Sequence, residues 1–174
     1  MPFYGFHPNP FLYVRLIFFQ ILNESAVKFY MKITILSKNQ VKKYKPNGKA
    51  ALISINDLCD LDRPCNHVRR SLYTTFSFYF FEDVLTDESG ALTPAQAESI
   101  VRRLLHLSQR SDLDELVIHC VAGRSRSQAV GCFMAKTILA DTALYLELYA
   151  RVNGNGNPYV YQLLEDAYVC INDH

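Results

Sequence analysis

From Met31 onward the apolar positions follow two rhythms. Ile33–Leu36, Ala51–Ile55 and Leu116–Ile118 are short, continuous apolar runs rich in β-branched residues. Runs of that length without alternation predict strands buried on both faces. Ser71–Phe81, dense in aromatics, Thr and Ser, predicts a further strand. Its Tyr73, Phe76, Phe78, Tyr79, Phe80 and Phe81 do not alternate cleanly, so no face is defined, and core packing is expected for them. The second rhythm is helical. Thr93-Pro94-Ala95-Gln96 combines a cap, a proline at the first helical position and a capping-box glutamine. Ile100, Val101, Leu104, Leu105 and Leu107 then give the helix an apolar face through about Gln109. Ser127–Ala140, mostly apolar and so expected to be buried, Thr142–Val152 and Tyr159–Ile171 predict three more helices, the last two separated by the loop Asn153–Pro158. A basic stretch at Lys42–Lys45 leads into the turn Pro46-Asn47-Gly48, and Asp60–Pro64 is a second turn. Strands mixed with helices in this order predict an α/β domain with a mainly parallel central sheet flanked by helices.

Residues 1–30 differ in character. They hold Pro2, Pro8, Pro10, many aromatics and the apolar run Phe11–Leu22, interrupted by Arg15. That run is too short to span a bilayer as a helix, and it lacks the basic start and small-residue cleavage pattern of a signal peptide. Met31-Lys32-Ile33-Thr34-Ile35-Leu36 opens cleanly as a strand. The expected organisation is therefore an N-terminal extension, 1–30, followed by one domain, 31–174.

Composition narrows the function classes. The chain of 174 residues carries 18 Lys+Arg against 17 Asp+Glu, a net charge of +1, which gives no global argument for nucleic acid or an anionic membrane. Anion binding must then come from a local arrangement. Cys59, Cys65, Cys120, Cys132 and Cys170 are odd in number and dispersed, which argues against a disulfide framework and for a reducing, cytoplasmic location. Cys59 and Cys65 lie near His67, but no second ligand pair follows, so no metal is expected. These two read as packing residues or incidental thiols, and Cys132 and Cys170 as core residues.

The chemistry concentrates in Leu116–Ser127. A buried strand ends, the chain turns through Gly123, and a helix begins near Ser127, which aims backbone N–H groups and a helix N-terminus at one point and makes an anion site. Cys120 stands at the strand end facing that point. Helix N-termini and nearby cations favour the thiolate, the competent nucleophile. Arg126, at the loop's exit, offers a planar fork that matches two oxygens of a phosphoryl group. Ser127 is placed to donate to the sulfur, Gly123 to let the loop backbone approach the phosphate, and His119 to hold the loop and thiolate geometry.

The run His119-Cys120-Val121-Ala122-Gly123-Arg124-Ser125-Arg126-Ser127 resembles the phosphate-binding loop of the protein tyrosine phosphatase superfamily, His-Cys-x-x-Gly-x-x-Arg-Ser/Thr, at all five defining positions. It fits the small dual-specificity-like branch, including compact bacterial and phage-type members. Ala51–Asp57 is similar to the family's early strand, and Asn157–Leu163 to the Asn-Pro start of its late helix, so the similarity spans about residues 31–171. The resemblance implies a cysteine nucleophile (Cys120), a phosphate clamp (Arg126), a phosphate site formed by Val121, Ala122, Gly123, Arg124, Ser125 and Arg126, no cofactor, and an aspartate acid from an upstream loop. Asp83, directly after the aromatic strand, matches a Phe-x-Asp element of small bacterial relatives; Asp87 is the alternative, closer in spacing to the dual-specificity enzymes.

The function so implied is hydrolysis of phosphate monoesters through a cysteinyl-phosphate, with phosphotyrosine in a protein or peptide as the expected substrate and phosphoserine or phosphothreonine also in range. A phosphoinositide phosphatase is the alternative within the class. Lipid phosphatases of this kind often carry lysines in the loop, where this chain has apolar Val121 and one added cation, Arg124. A phosphate-binding module without activity is the alternative outside it, and a rhodanese-type sulfur transferase is disfavoured by Ser127 and the upstream aspartates.

Overall fold

The structure, a computed structural model, describes residues 31–61 and 67–173. The extension expected over 1–30, most of the turn at Asp60–Pro64, and Cys65 lie outside the described residues. Four strands form an all-parallel sheet: β1 (Lys32–Ser37), β2 (Ala50–Asn56), β3 (Thr75–Phe80) and β4 (Glu115–Cys120), in the spatial order β1-β4-β2-β3. The helices are α1 (Lys38–Val41), α2 (Pro94–Ser108), α3 (Arg126–Phe133), α4 (Thr142–Val152) and α5 (Pro158–Asn172).

Every residue of β2 and β4 is buried, which is why their sequences run apolar without alternation. Alternate residues still serve different cores. Ile33, Ile35, Ile53, Ile55, Leu116, Ile118 and Cys120 join the larger core, with Ile100, Leu104, Val130, Phe133 and Leu164 from the helices. Leu36, Leu52 and Val117 turn to the opposite face, under Val41, Val68 and Tyr73. Because the strands are parallel, their C-terminal ends, Ser37, Asn56, Phe80 and Cys120, lie along one edge of the sheet. Open α/β sheets bind ligands at that edge.

Several expectations are corrected. Ser71–Phe81 is not one strand: Arg70–Leu72 is a 3-10 turn and β3 begins only at Thr75. Its aromatics are not all core. Tyr73 and Phe81 are buried, Phe78, Tyr79 and Phe80 are half-buried, and Phe76 is 41% exposed. The reason is topological. β3 is an edge strand with one neighbour, and the Arg70 guanidinium covers part of the shortfall, 5.5 Å and 4.9 Å from the ring centres of Phe76 and Phe78. Lys38–Val41, ahead of the basic stretch, forms a helical turn closed by a Ser37/Gln40 capping box. The helix expected at Ser127–Ala140 starts at Arg126, and its last part, Met134–Ile138, is π-helical. Cys132 is buried as expected, whereas Cys170, on α5, is exposed. Cys59 is exposed as well, and all four described cysteines are free.

Candidate active site

The site is assembled where β4 gives way to α3. Cys120, 1% exposed, ends β4, and residues 121–125 loop round its sulfur before α3 opens at Arg126. The Gly123 N–H donates to Cys120 Sγ at 3.2 Å, and Ser127 Oγ lies 3.1 Å from the same sulfur. Two donor-bearing groups therefore converge on Sγ from opposite ends of the loop. The N–H groups of Ala122, Arg124 and Ser125 find no hydrogen-bond acceptor among the described residues.

The loop is shaped from outside. Gly123 has φ +70°, and a Cβ there would stand 2.6 Å from the Leu36 carbonyl carbon and from the Ser37 nitrogen. The glycine is thus required by its left-handed backbone and by the end of β1. The Lys38 N–H, donating to the Val121 carbonyl at 3.1 Å, fixes the same side. Opposite, Gly156 has φ +86°, and a Cβ on it would stand 2.4 Å from the Ser125 carbonyl oxygen. The loop before α5 is pressed directly onto the loop that follows β4.

Arg126 is almost wholly buried, with a side chain 3% exposed. Its Nη2 pairs with Asp57 Oδ1 at 2.7 Å, and its Nη1 donates to the carbonyl oxygens of Phe81 and, at 3.5 Å, Asn56. Its Nε has no hydrogen-bond partner. The guanidinium is therefore held at its outer nitrogens by the ends of β2 and β3, with one buried donor left over. Buried donors are almost always satisfied, so this one marks where an acceptor is wanted. Asp57 was not among the residues expected here. The available signal was its position: a carboxylate just past the C-terminal end of a fully buried parallel strand.

The two aspartates separate clearly. Asp83 Oδ1 accepts from Ser125 Oγ at 2.7 Å and from Asn157 Nδ2 at 2.8 Å, and its Oδ2 lies 3.9 Å from Arg126 Nε. Asp87 is exposed and stands beside the Tyr159 hydroxyl, whose pKa is raised by burial first and then by the Asp87 charge. The structure joins Asp83 to the loop and leaves Asp87 outside it. His119 is buried, its ring edge-on to that of His67 at 5.3 Å between centres. Burial, and next the neighbouring His67, push its pKa down to about 4, so the ring is neutral at pH 7. Val121, Ala122 and Arg124 are exposed at the mouth.

Asp57, Cys59 and Asp60 place ligand atoms within 4.8 Å of one another, the grouping closest to a metal site among the described residues. Asp57 already pairs with Arg126, and Asp60 with Lys38 at 2.7 Å, so both carboxylates have cations. Among the described residues no helix is long and apolar enough to cross a membrane.

No protein-family model matches the chain, and no curated protein matches it. Solved structures do. Human DUSP28 superposes with a TM-score of 0.54 at 12% identity, over 83% of this chain and 96% of that one. Tk-PTP in its active form gives a TM-score of 0.52 at 12% identity, over 80% of this chain and 92% of that one. The G95A mutant form of Tk-PTP gives 0.52 at 13% identity, over 82% and 93%. The all-parallel sheet flanked by helices is thus the fold of these tyrosine and dual-specificity phosphatase structures. At these identities the fold is what is shared.

Proposed function

We propose that the chain is a cysteine-dependent phosphatase that hydrolyses phosphate monoesters, with phosphotyrosine in proteins as its substrate. The observation that carries this reading is the buried Arg126 at the exit of the loop that follows Cys120, its Nε without a hydrogen-bond partner and 3.9 Å from Asp83 Oδ2. A phosphoryl group would fill that gap. Cys120 attacks the phosphorus, forming the S–P bond as the ester P–O bond breaks. Arg126 and the loop N–H groups stabilise the equatorial oxygens, and Asp83 protonates the departing oxygen. Water, deprotonated by the same Asp83, then cleaves the cysteinyl-phosphate, and Ser127 donates to the leaving thiolate. His119, neutral and buried, shapes the loop and transfers no proton. Each step uses this chain's own side chains and water.

Val121, 41% exposed and apolar at the mouth, suits an aryl ring above the phosphate better than a polyanionic inositol headgroup. Arg124 is the one cation that the loop itself adds there.

The acid is tested on an aryl phosphate with a poor leaving group. Asp83→Asn is expected to lower kcat by about 10²–10³-fold, within the usual span of general acid catalysis. Asp87→Asn should stay within about twofold of wild type, since its carboxylate faces Tyr159. The reverse ranking would move the acid to Asp87. A panel of phosphotyrosine, phosphoserine and phosphothreonine peptides beside phosphoinositides then reads substrate class, and a preference for the lipids would overturn the protein-substrate reading.

A further inference from the structure

The near-zero net charge hides a segregation of charge. Residues 31–56 and 67–81 together hold six lysines, two arginines and no carboxylate. All fifteen described Asp and Glu residues lie in the rest of the domain, beside seven Lys and Arg. The two basic stretches meet in space. Val41 and Tyr44 from the first pack with Val68, Leu72 and Tyr73 from the second, covering the sheet face opposite the larger core. Lys42, Lys43 and Lys45 stand exposed on this layer, as do Arg69 and Arg70. Like charges gathered on one face repel one another, a cost that a partner of opposite charge relieves.

Neighbouring carboxylates do not neutralise the layer. Lys32 pairs with Glu115 at 3.4 Å and Lys38 with Asp60 at 2.7 Å, but Lys42, Lys43, Lys45 and Arg69 make no ion pair among the described residues. Blocks of like charge are commonly disordered tails. This one is fixed. The Lys43 and Tyr44 N–H groups both donate to the Gln40 carbonyl at 3.0 Å, and the Tyr44 hydroxyl donates to Glu115 Oε1 at 2.5 Å. Further on, the Lys49 N–H donates to Asp114 Oδ2 at 2.8 Å. Cations on a fixed backbone bind without first losing chain freedom. The layer also abuts the candidate active site, since the Lys38 N–H holds the Val121 carbonyl and Lys42 follows Lys38 by about one helical turn.

The chemistry of the segment narrows the partner. From Lys42 to Lys49 no apolar side chain is exposed, and Tyr44 is half-buried with its hydroxyl engaged. There is no wedge for a bilayer and no free ring to stack a base. The segment has no arginine, and so lacks the planar fork that grips phosphate or reads guanine. Compact ammonium groups remain, and these suit carboxylates spaced along an extended chain.

We propose that Lys42, Lys43 and Lys45 form a docking surface for an acidic segment of a partner protein, which carries its phosphorylated residue elsewhere along the chain. The second half of that statement rests on the reading of phosphoproteins as substrate. Exposed ion pairs are individually weak, each a factor of about two to five, so three together give about tenfold or more.

The test uses two phosphotyrosine peptides that differ only in a remote stretch, glutamate in one and glutamine in the other, joined through a flexible linker. The wild-type protein is expected to prefer the glutamate peptide by at least about tenfold in kcat/KM at low salt, and by less than about twofold at high salt. Lys42→Gln/Lys43→Gln/Lys45→Gln should abolish the preference while leaving phenyl phosphate turnover within about twofold. Arg102→Gln/Lys136→Gln, which removes cations outside the layer, should keep it. Equal use of the two peptides at low salt, or a preference that survives the triple variant, would overturn the proposal. Fluorescence anisotropy of the unphosphorylated glutamate peptide reads docking without chemistry. If neither peptide is turned over, the phosphoprotein reading fails by itself: binding that the triple variant loses still supports the surface, and no binding removes it. Tighter capture of a single-stranded oligonucleotide or of phosphatidylserine vesicles than of the glutamate peptide, lost in the triple variant, would overturn the acidic-protein partner.

Discussion

Cys120→Ser is expected to lower turnover of an aryl phosphate by at least about a thousandfold, some 4 kcal/mol of barrier. A serine hydroxyl is a far weaker nucleophile at neutral pH than a thiolate, and nothing at this position would activate it. The Gly123 N–H donates to the atom at position 120, and the Ser127 hydroxyl lies within hydrogen-bond reach of it, able to donate once that atom carries negative charge. Among the described residues no side chain is recorded as removing a proton from it, and the adjacent His119, its pKa pushed down to about 4 by burial, is a poor proton acceptor. The loss should fall on rate and not on folding. Oxygen accepts the same two hydrogen bonds as sulfur, and the exchange is close to isosteric within a buried site. Steady-state kinetics paired with a thermal melt separates the two. Residual activity within tenfold of wild type would remove Cys120 from the mechanism.

Arg126→Lys should be nearly as damaging, with kcat/KM reduced by about 10³-fold. Lysine keeps a charge but not the geometry. The guanidinium holds Asp57, Phe81 and Asn56 through its outer nitrogens, and its Nε, without a hydrogen-bond partner, is the donor proposed for the substrate. An ammonium is a single point donor, and whichever of these partners it chooses, the others are abandoned. Stability should fall too, by about 1–3 kcal/mol, as carbonyl acceptors in a buried setting lose their donor. The melting temperature would report that loss, and inorganic phosphate binding would report the clamp directly. A Lys variant that binds phosphate and turns over like wild type would show that charge alone suffices.

The parts of the site that were legible in the sequence are those that are contiguous in it. His119 to Ser127 carry the proposed nucleophile, the turn, the proposed clamp and the helix start within one stretch, and β4 before it and α3 after it supply the frame. The parallel sheet was legible for a similar reason, since strands buried on both faces have nothing but apolar residues to show. What could not be read were contacts that the fold makes across long separations. Asp57 reaches Arg126 only because β2 and β4 are neighbours in the sheet. Asn157 reaches Asp83, 74 residues away, because α5 starts over the loop of β4. Asp83 and Asp87 share one irregular segment, and periodicity has no purchase there. Gly123 was recognised as necessary, but the pressing neighbour proved to be β1. The mixed aromatics of β3 misled because an edge strand exposes what an interior strand would bury.

The central claim is that phosphate passes through the sulfur of Cys120. The direct measurement is to mix Asp83→Asn protein with an activated aryl phosphate, quench within the first turnover, and map the modified peptide by mass spectrometry. Without Asp83 to activate water, the intermediate should accumulate. The expected result is one phosphoryl group on Cys120, formed together with the aryl alcohol and absent from Cys120→Ser. Release of the alcohol with no phosphate on Cys120, or with phosphate on another residue, would contradict it.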